Sequence, residues 1–398
     1  MDLLELALSF FPQTQTDRRF LHQHPELSLE EYKTSAYSAT RLKQQGFSIG
    51  ETLAETGFVA SFDTGRRGPS FLFRFDMDAL PVYEENEVDY CSTVPGKMHA
   101  CGHDGHVAIG LTIGSMINQL REQLAGSYHL LFQPAEEIGQ GAQRMLDEGA
   151  LFGLGLDYLL SAHLWNEKPF GWLGIAPGAV MAASGKFEIT VEGKGGHGGQ
   201  PQASVDPIIA AAQLINEIQT IVSRNLNPLH PAVISICSIS GGKTFNITPS
   251  KVEMSGTIRY FSDESYQVIA KRLKEICEHS GYAMGCQVQL RLEPKTKATI
   301  NDPQVAEVVR QAAISIENGT ACKLPATLEL DTTYKTMLSE DVGVFLEQVP
   351  GCFVLVGAGD SPGGSQFPHH HPRFNFDERA MPLTAALLLQ TALQLAMD

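Results

Sequence analysis

The chain has 398 residues, 43% of them hydrophobic and 19% charged, and a formal net charge of −16. A single core seldom grows past ~250–300 residues, so two domains are expected, and the acidic balance argues against nucleic acid or an anionic membrane as a partner. No run approaches the ~20 apolar residues of a membrane helix. The seven cysteines are odd in number, without disulfide-scaffold spacing, which points to a reducing cytoplasm.

Residues 1–45 read as two helices. The first is amphipathic and opens on acids without a basic run, unlike a secretory signal. Residues 18–28 connect them: Pro25 holds His24 extended, and Ser28 followed by Glu31 reads as a capping box for a helix from Leu29. His22 and His24 are most simply structural. Residues 98–106 then place Cys101, His103 and His106 in one glycine-punctuated loop that runs into an apolar helix, with Asp104 placed to cap it. A lone cysteine reads as a small core residue. Together, thiolate and imidazole form the donor set that borderline-soft divalent metals prefer.

Four apolar runs, 71–75, 128–133, 158–162 and 352–356, read as strands. Asp76 and Asp78 follow the first, Glu136 and Glu137 the second, and His163 the third. Gly357, Gly359 and then His369, His370 and His371 follow the fourth. Helices at 107–124 and 141–149 fall between them, which supports an α/β fold with a mainly parallel sheet flanked by helices. Such sheets collect ligands beyond the carboxyl ends of their strands. Acids after a strand also serve as helix caps, which explains one of these sites more easily than all of them.

Between 184 and 294 the pattern changes. Strands at 186–192, 232–238, 252–260 and 286–292 and helices at 205–222 and 262–280 follow the βαββαβ order of a ferredoxin-like domain. Its two ends lie on adjacent strands, so insertion is easy. The expected division is a catalytic domain of residues 1–183 and 295–398 and an inserted lid of 184–294. Two short motifs are rejected. Residues 193–198 fit a dinucleotide fingerprint, but Pro201 and Pro207 delay any helix and no acid ends a second strand. Residues 359–363 fit a nucleophile elbow, but Pro362 follows Ser361 and has no amide for an oxyanion.

A metal site remains. Its candidate ligands exceed the three or four that one zinc takes, which favours two cations sharing a ligand. Of the adjacent Glu136 and Glu137, one can bind metal while the other acts as a base.

In order, and over nearly the whole chain, the sequence resembles the dinuclear metallo-amidohydrolases that include hippurate hydrolases, N-acyl-amino-acid deacylases and plant auxin-conjugate hydrolases. The carrying segments are 19–26, 76–81, 99–106, 133–137, His163, 193–197, 245–249, 256–259 and the histidines before Pro372. The resemblance implies a zinc-exopeptidase-like catalytic domain that cleaves the amide of an N-acyl-L-amino acid. It implies two divalent cations, manganese or zinc, with nickel and cobalt also compatible. Cys101 as bridge, His103, Glu137, His163 and one C-terminal histidine would be ligands, and family spacing selects His370. Glu136 would be the general acid/base. Asp78 joins it in the catalytic set, lying with Asp76 behind the ligands. On the lid, His197, Asn246 and Arg259 would face the substrate, the Arg259 fork suiting a free carboxylate. Lid sheets often leave an edge open, which leaves room for a homodimer. A metallo-dipeptidase or carboxypeptidase on the same fold is the alternative. A protein that only carries metal is a third, against which Glu136 argues, because storage has no use for a base.

Overall fold

Apolar runs that alternate with helices pair into one sheet. In a computed structural model that describes residues 2–319, 327–359, 361 and 363–397, the four runs become the strands Ser70–Asp76, Ser127–Gln133, Tyr158–Pro169 and Gly351–Gly359. Ser70–Asp76 lies parallel between Ser127–Gln133 and Tyr158–Pro169, and Gly351–Gly359 lies parallel on the far side of Tyr158–Pro169. Shorter strands extend the sheet to eight, and antiparallel pairing enters at Phe58–Asp63 and Trp172–Gly174. Every residue of Ser70–Asp76 is buried, as expected for a strand covered on both faces. The helices Leu3–Gln23, His103–Leu120 and Ala380–Leu395 pack on one another beside this sheet.

By its internal contacts the chain divides into two units. One comprises Met1–Val180, Thr299–Lys335 and Asp341–Asp398, and the other Met181–Ala298 and Thr336–Glu340. The smaller unit has a four-stranded antiparallel sheet in the order Ala232–Gly241, Lys251–Tyr260, Ala183–Glu192, Gln287–Thr296. Its helices Pro207–Thr220 and Asp263–Ala283 bury Leu214, Ile218, Ile269 and Leu273 against Phe187, Ile189 and Ile258. This is the ferredoxin-like arrangement. Asp206 caps the first of these helices and Pro207 opens it, where a missing amide costs nothing.

Several local expectations fail for identifiable reasons. The first helix does not stop before Arg18 but runs to Gln23, because Arg18 on its buried side pairs with Asp104. Ser28 and Glu31 form no capping box. The second helix begins at Tyr32 without a side-chain cap, Leu29 has a φ of 67°, and both polar side chains turn inward to other partners. Asp104 does not cap its helix, which starts one residue earlier, at His103, from Gly102 at φ 90°. His163 does not follow a strand but lies within one, because Tyr158–Pro169 continues alongside Gly351–Gly359 and sets His163 level with Leu355. Of the rejected 359–363 motif, Asp360 and Pro362 lie outside the described residues.

Candidate metal centre

The rim formed by Asp76, Gln133 and His163 carries the chemistry. Asp76 and Gln133 stand level in register, so the loops that leave them are neighbours. Glycine lets a helix settle onto this rim. A Cβ at Gly105 would come within 2.7 Å of both Leu164 and Phe376, so only glycine lets the first turn of His103–Leu120 sit this close to the strand.

His103 donates from Nδ1 to the Asp78 carbonyl at 2.9 Å, and His163 from Nδ1 to the Leu164 carbonyl at 2.9 Å. These bonds occupy each Nδ1 and leave Nε2 as the nitrogen turned outward, the usual arrangement of a metal-binding histidine. Nε2 of His163 lies 3.5 Å from the Cys101 sulfur. Nε2 of His103 lies 3.9 Å from Glu137 Oε1 and 3.9 Å from Glu136 Oε2. On the other side, His370 Nε2 lies 3.3 Å from Glu137 Oε2. Two donor sets result, Cys101 with His103 and His163, and Cys101 with Glu137 and His370, each with its ligand atoms within 4.8 Å of one another. Cys101 belongs to both, as a bridging thiolate must.

The donor set fits cations on its own geometry. His103 Nε2 and Glu137 Oε1 are both buried and lack a hydrogen-bond partner, an expensive arrangement unless a further group satisfies them. With ligand bonds of ~2.0–2.3 Å, donors sharing a cation sit roughly 3–4 Å apart, as do Cys101 and His163 at 3.5 Å and Glu137 and His370 at 3.3 Å. The field has the right sign as well. Burial opposes a charge on His103, but Asp76, Asp78 and Glu137 outweigh it and raise its pKa to about 10. Surroundings that hold a proton so firmly also hold a metal cation.

Of the residues around the donor sets, His106 departs from its expected role and His22 keeps its expected structural one. His106 has no lone pair to offer: its Nδ1 donates to Asp76 at 2.5 Å and its Nε2 accepts from the Leu164 amide at 3.0 Å. His22 is buried between Asp104, at 2.8 Å, and Glu84, at 3.1 Å. Burial disfavours its charge, but those two carboxylates prevail and raise its pKa. Asp78 is used for support. Its Oδ1 accepts from the Glu136 amide at 3.1 Å, and its Oδ2 from the Glu137 amide at 3.0 Å and the Ser28 hydroxyl at 2.6 Å. Asp76 lies deeper. Burial would raise its pKa, yet His103, His106 and Arg74 hold it well below the usual carboxylate range.

Among the three C-terminal histidines, only His370 turns to Glu137. His369 bonds the Leu164 carbonyl at 3.0 Å, and His371 accepts the Arg373 amide at 3.0 Å. His370 is held at φ 68° by its own amide, which bonds the Ala100 carbonyl at 2.7 Å.

Arg74 and Asp341, which the sequence did not single out, and Glu31, which it offered as a helix cap, complete the rim. Arg74 bonds Asp76 at 2.7 Å, Gln133 at 2.7 Å and Asp341 at 2.9 Å. An arginine inside an apolar strand was its visible signal, whereas Asp341 sits in no motif. Glu31 is fully buried and accepts from Thr56 Oγ1 at 2.6 Å and from the Ala135 amide at 3.0 Å. Burial pushes it up to about 7 against those two bonds. Ala135 has a φ of 55°, a left-handed conformation that costs a non-glycine residue on the order of 1–3 kcal/mol.

In the smaller unit, His197 is exposed on a two-residue strand paired with Ile247–Thr248, and the Gly198 amide bonds the Asn246 carbonyl at 2.8 Å. His197 and Asn246 are therefore neighbours. Arg259 lies apart from them on the central strand Lys251–Tyr260, bonded to Thr257 and the Ile258 carbonyl. Burial lowers its pKa.

The family model described as Peptidase family M20/M25/M40 matches residues 72–394. The chain is 36% identical to the N-acetyl-L-cysteine deacetylase of Bacillus subtilis, over 95% of this chain and 87% of that one. It is 33% identical to IAA-amino acid hydrolase ILR1-like 5 of Arabidopsis thaliana, over 98% and 88%. The Bacillus subtilis YXEP protein, described as a dinuclear metal binding peptidase from the M20 family, superposes with a TM-score of 0.84 at 30% identity, over 98% and 99% of the two chains.

Proposed function

Because the chain belongs to peptidase family M20/M25/M40, we propose that it is a metal-dependent amidohydrolase that cleaves an N-acyl-L-amino acid into a carboxylate and a free amino acid. One observation carries the reading: two donor sets share Cys101 and stand beside adjacent carboxylates, of which Glu137 contributes to a set and Glu136 turns to the same rim. The deacetylase and hydrolase named above support the substrate class.

Cys101, His103, Glu137, His163 and His370 would hold two divalent cations, which supply Lewis acidity to a carbonyl and lower the pKa of water. Manganese or zinc suits a mixture of thiolate, imidazole and carboxylate, and nickel or cobalt is compatible. Glu136 takes the proton from water as it attacks the amide carbon, and returns it to the leaving amine. Asp78 holds Glu136 and Glu137 by their amides. On the lid, His197 would stabilise the oxyanion, with Asn246 beside it, and Arg259 would take the free carboxylate. A reducing cytoplasm suits a site that depends on one thiolate, since oxidation of Cys101 would remove a donor from both sets. A homodimer through the lid sheet is the assembly we assign.

Release of free amino acid from N-acetyl- and N-benzoyl-amino acids, with manganese or zinc added, tests this reading. Wild-type protein should be active. Glu136→Ala should keep its metal and lose ~10²–10⁴-fold in turnover. Wild-type turnover in that variant removes the mechanism, and cleavage of plain dipeptides alone promotes the peptidase.

A further inference from the structure

Glu31 lies outside the donor sets, and its carboxylate does not cap the helix that follows it. We propose that Glu31 is a positioning residue: by pinning the Ala135 amide it fixes the left-handed turn that directs Glu136 and Glu137 to separate tasks. The activity part of this inference rests on the amidohydrolase reading.

Three consecutive amides end on buried carboxylates. Ala135 donates to Glu31 at 3.0 Å, Glu136 to Asp78 at 3.1 Å and Glu137 to Asp78 at 3.0 Å. The middle of the turn is therefore held from both sides. Ala135 needs such a hold, because its φ of 55° is one that an alanine does not adopt unaided. Rotation about that bond would swing both following side chains and pull their amides off Asp78. The Ala135 carbonyl is committed as well, accepting the Gln140 amide at 3.3 Å and the Gly141 amide at 3.1 Å. Where Gly141 packs, a Cβ would come within 1.6 Å of the Pro134 carbonyl. The turn has no slack to absorb a lost anchor.

Glu31 itself is fixed. Its second oxygen accepts the Thr56 hydroxyl at 2.6 Å, and the residue is fully buried. The short segment that carries it also supplies Ser28 to Asp78 at 2.6 Å and the Glu26 carbonyl to the Ala79 amide at 2.8 Å. One strap thus steadies both carboxylates that hold the turn. A merely space-filling glutamate would not place one oxygen on Ala135 and the other on Thr56.

The test compares wild type, Glu31→Ala, Glu31→Gln, Ala135→Gly and the Glu31→Ala/Ala135→Gly double variant, each below its unfolding midpoint. Two quantities are read: amide hydrogen exchange of residues 134–141 in metal-free protein, and kcat and KM for an N-acetyl-amino acid with metal. In Glu31→Ala, exchange should rise at least ~10-fold as local opening becomes easier. Turnover should fall ~10–100-fold with KM little changed, because the base is misplaced rather than the substrate lost. Glu31→Gln keeps an acceptor for Ala135 and should keep most of the activity. The double variant should recover about ten-fold in kcat, since glycine takes this φ without strain. Wild-type exchange in Glu31→Ala, or a loss of kcat that glycine at 135 leaves untouched, overturns the proposal. If Glu31→Ala does not fold, Thr56→Ala loosens the same carboxylate. It should raise exchange over 134–141, and its failure to do so is equally decisive. Wild-type protein that releases no amino acid would remove the amidohydrolase reading, while the exchange measurements still judge the clamp.

Discussion

The two units differ in where they place charge. The larger one has surface pairs, but it also holds ion pairs inside. Arg18 meets Asp104 at 2.8 Å with neither side chain exposed, and Arg74 meets Asp341 at 2.9 Å under the rim. In the smaller one, they lie on an open sheet face, as in Lys186–Glu188 at 2.6 Å and Lys251–Glu253 at 2.6 Å, each side chain more than 40% exposed. Both patterns satisfy the same chemistry, but only the first fixes geometry. A buried charge that loses its partner cannot turn to water, so each pair dictates where its neighbours stand. A surface pair that breaks is hydrated at once.

This contrast can be broken at several points. The largest effect is expected at the residue common to both donor sets. Cys101→Ala should lose metal beyond the ~10–100-fold that a supporting residue costs, with no change in the unfolding of the smaller unit. Metal analysis of the purified variant decides it, and a full complement of two cations would sink the bridging role. Next comes Asp104→Ala, which leaves Arg18 buried with Glu378 at 3.3 Å and the Asn375 amide oxygen at 3.1 Å and should destabilise the larger unit by ~3–5 kcal/mol in a denaturant titration. A loss under ~1 kcal/mol would mean that this interior behaves like a surface.

A third test uses pH. His129, on the strand Ser127–Gln133 and bonded to Ser61 at 2.8 Å, is pushed by burial down to about 4. The folded state thus refuses a proton that the unfolded chain accepts near pH 6.5. Its contribution is whole above pH ~6.5 and is lost as pH falls towards ~4, amounting to about 3 kcal/mol at most. His129→Gln should flatten the stability curve between those values, and an unchanged slope would exonerate this histidine. Smallest is Lys186→Ala on the lid sheet, which should leave the unfolding midpoint within experimental scatter. A clear drop would show that the open face carries more than solvation.

Much of this was legible in one dimension. The strands were readable because buried parallel strands are predominantly apolar, and the polar residue after the run marked the rim near Asp76 and Gln133 but not at His163, where the strand runs on to Pro169. That Cys101 and His103 stand in one donor set was readable because softness and spacing are local properties. The roles of His106 and Asp104 were not, because each was decided by a partner distant in sequence, the Leu164 amide for one and Arg18 for the other. Glu31 was misread for a related reason: a serine followed three residues later by a glutamate is the same string whether the two cap a helix or steady a turn 104 residues on. Chain order tells which atoms are available; only the fold tells which are already taken.

The span of the Arg18 network also bears on how the protein comes to life on the ribosome. Arg18 is held by Asp104, 86 positions later, and by Glu378, 360 positions later. His370, too, is made long after Cys101 and His103. A nascent chain can form most of the smaller unit from the continuous stretch Met181–Ala298, whereas the larger unit, interrupted over a longer span, must wait with its first helix undocked. Loading with both cations is thus expected only after residue 370 has been made and the larger unit has closed. Ribosome-bound chains stalled before residue 370 should retain no metal, even where the lid already resists protease.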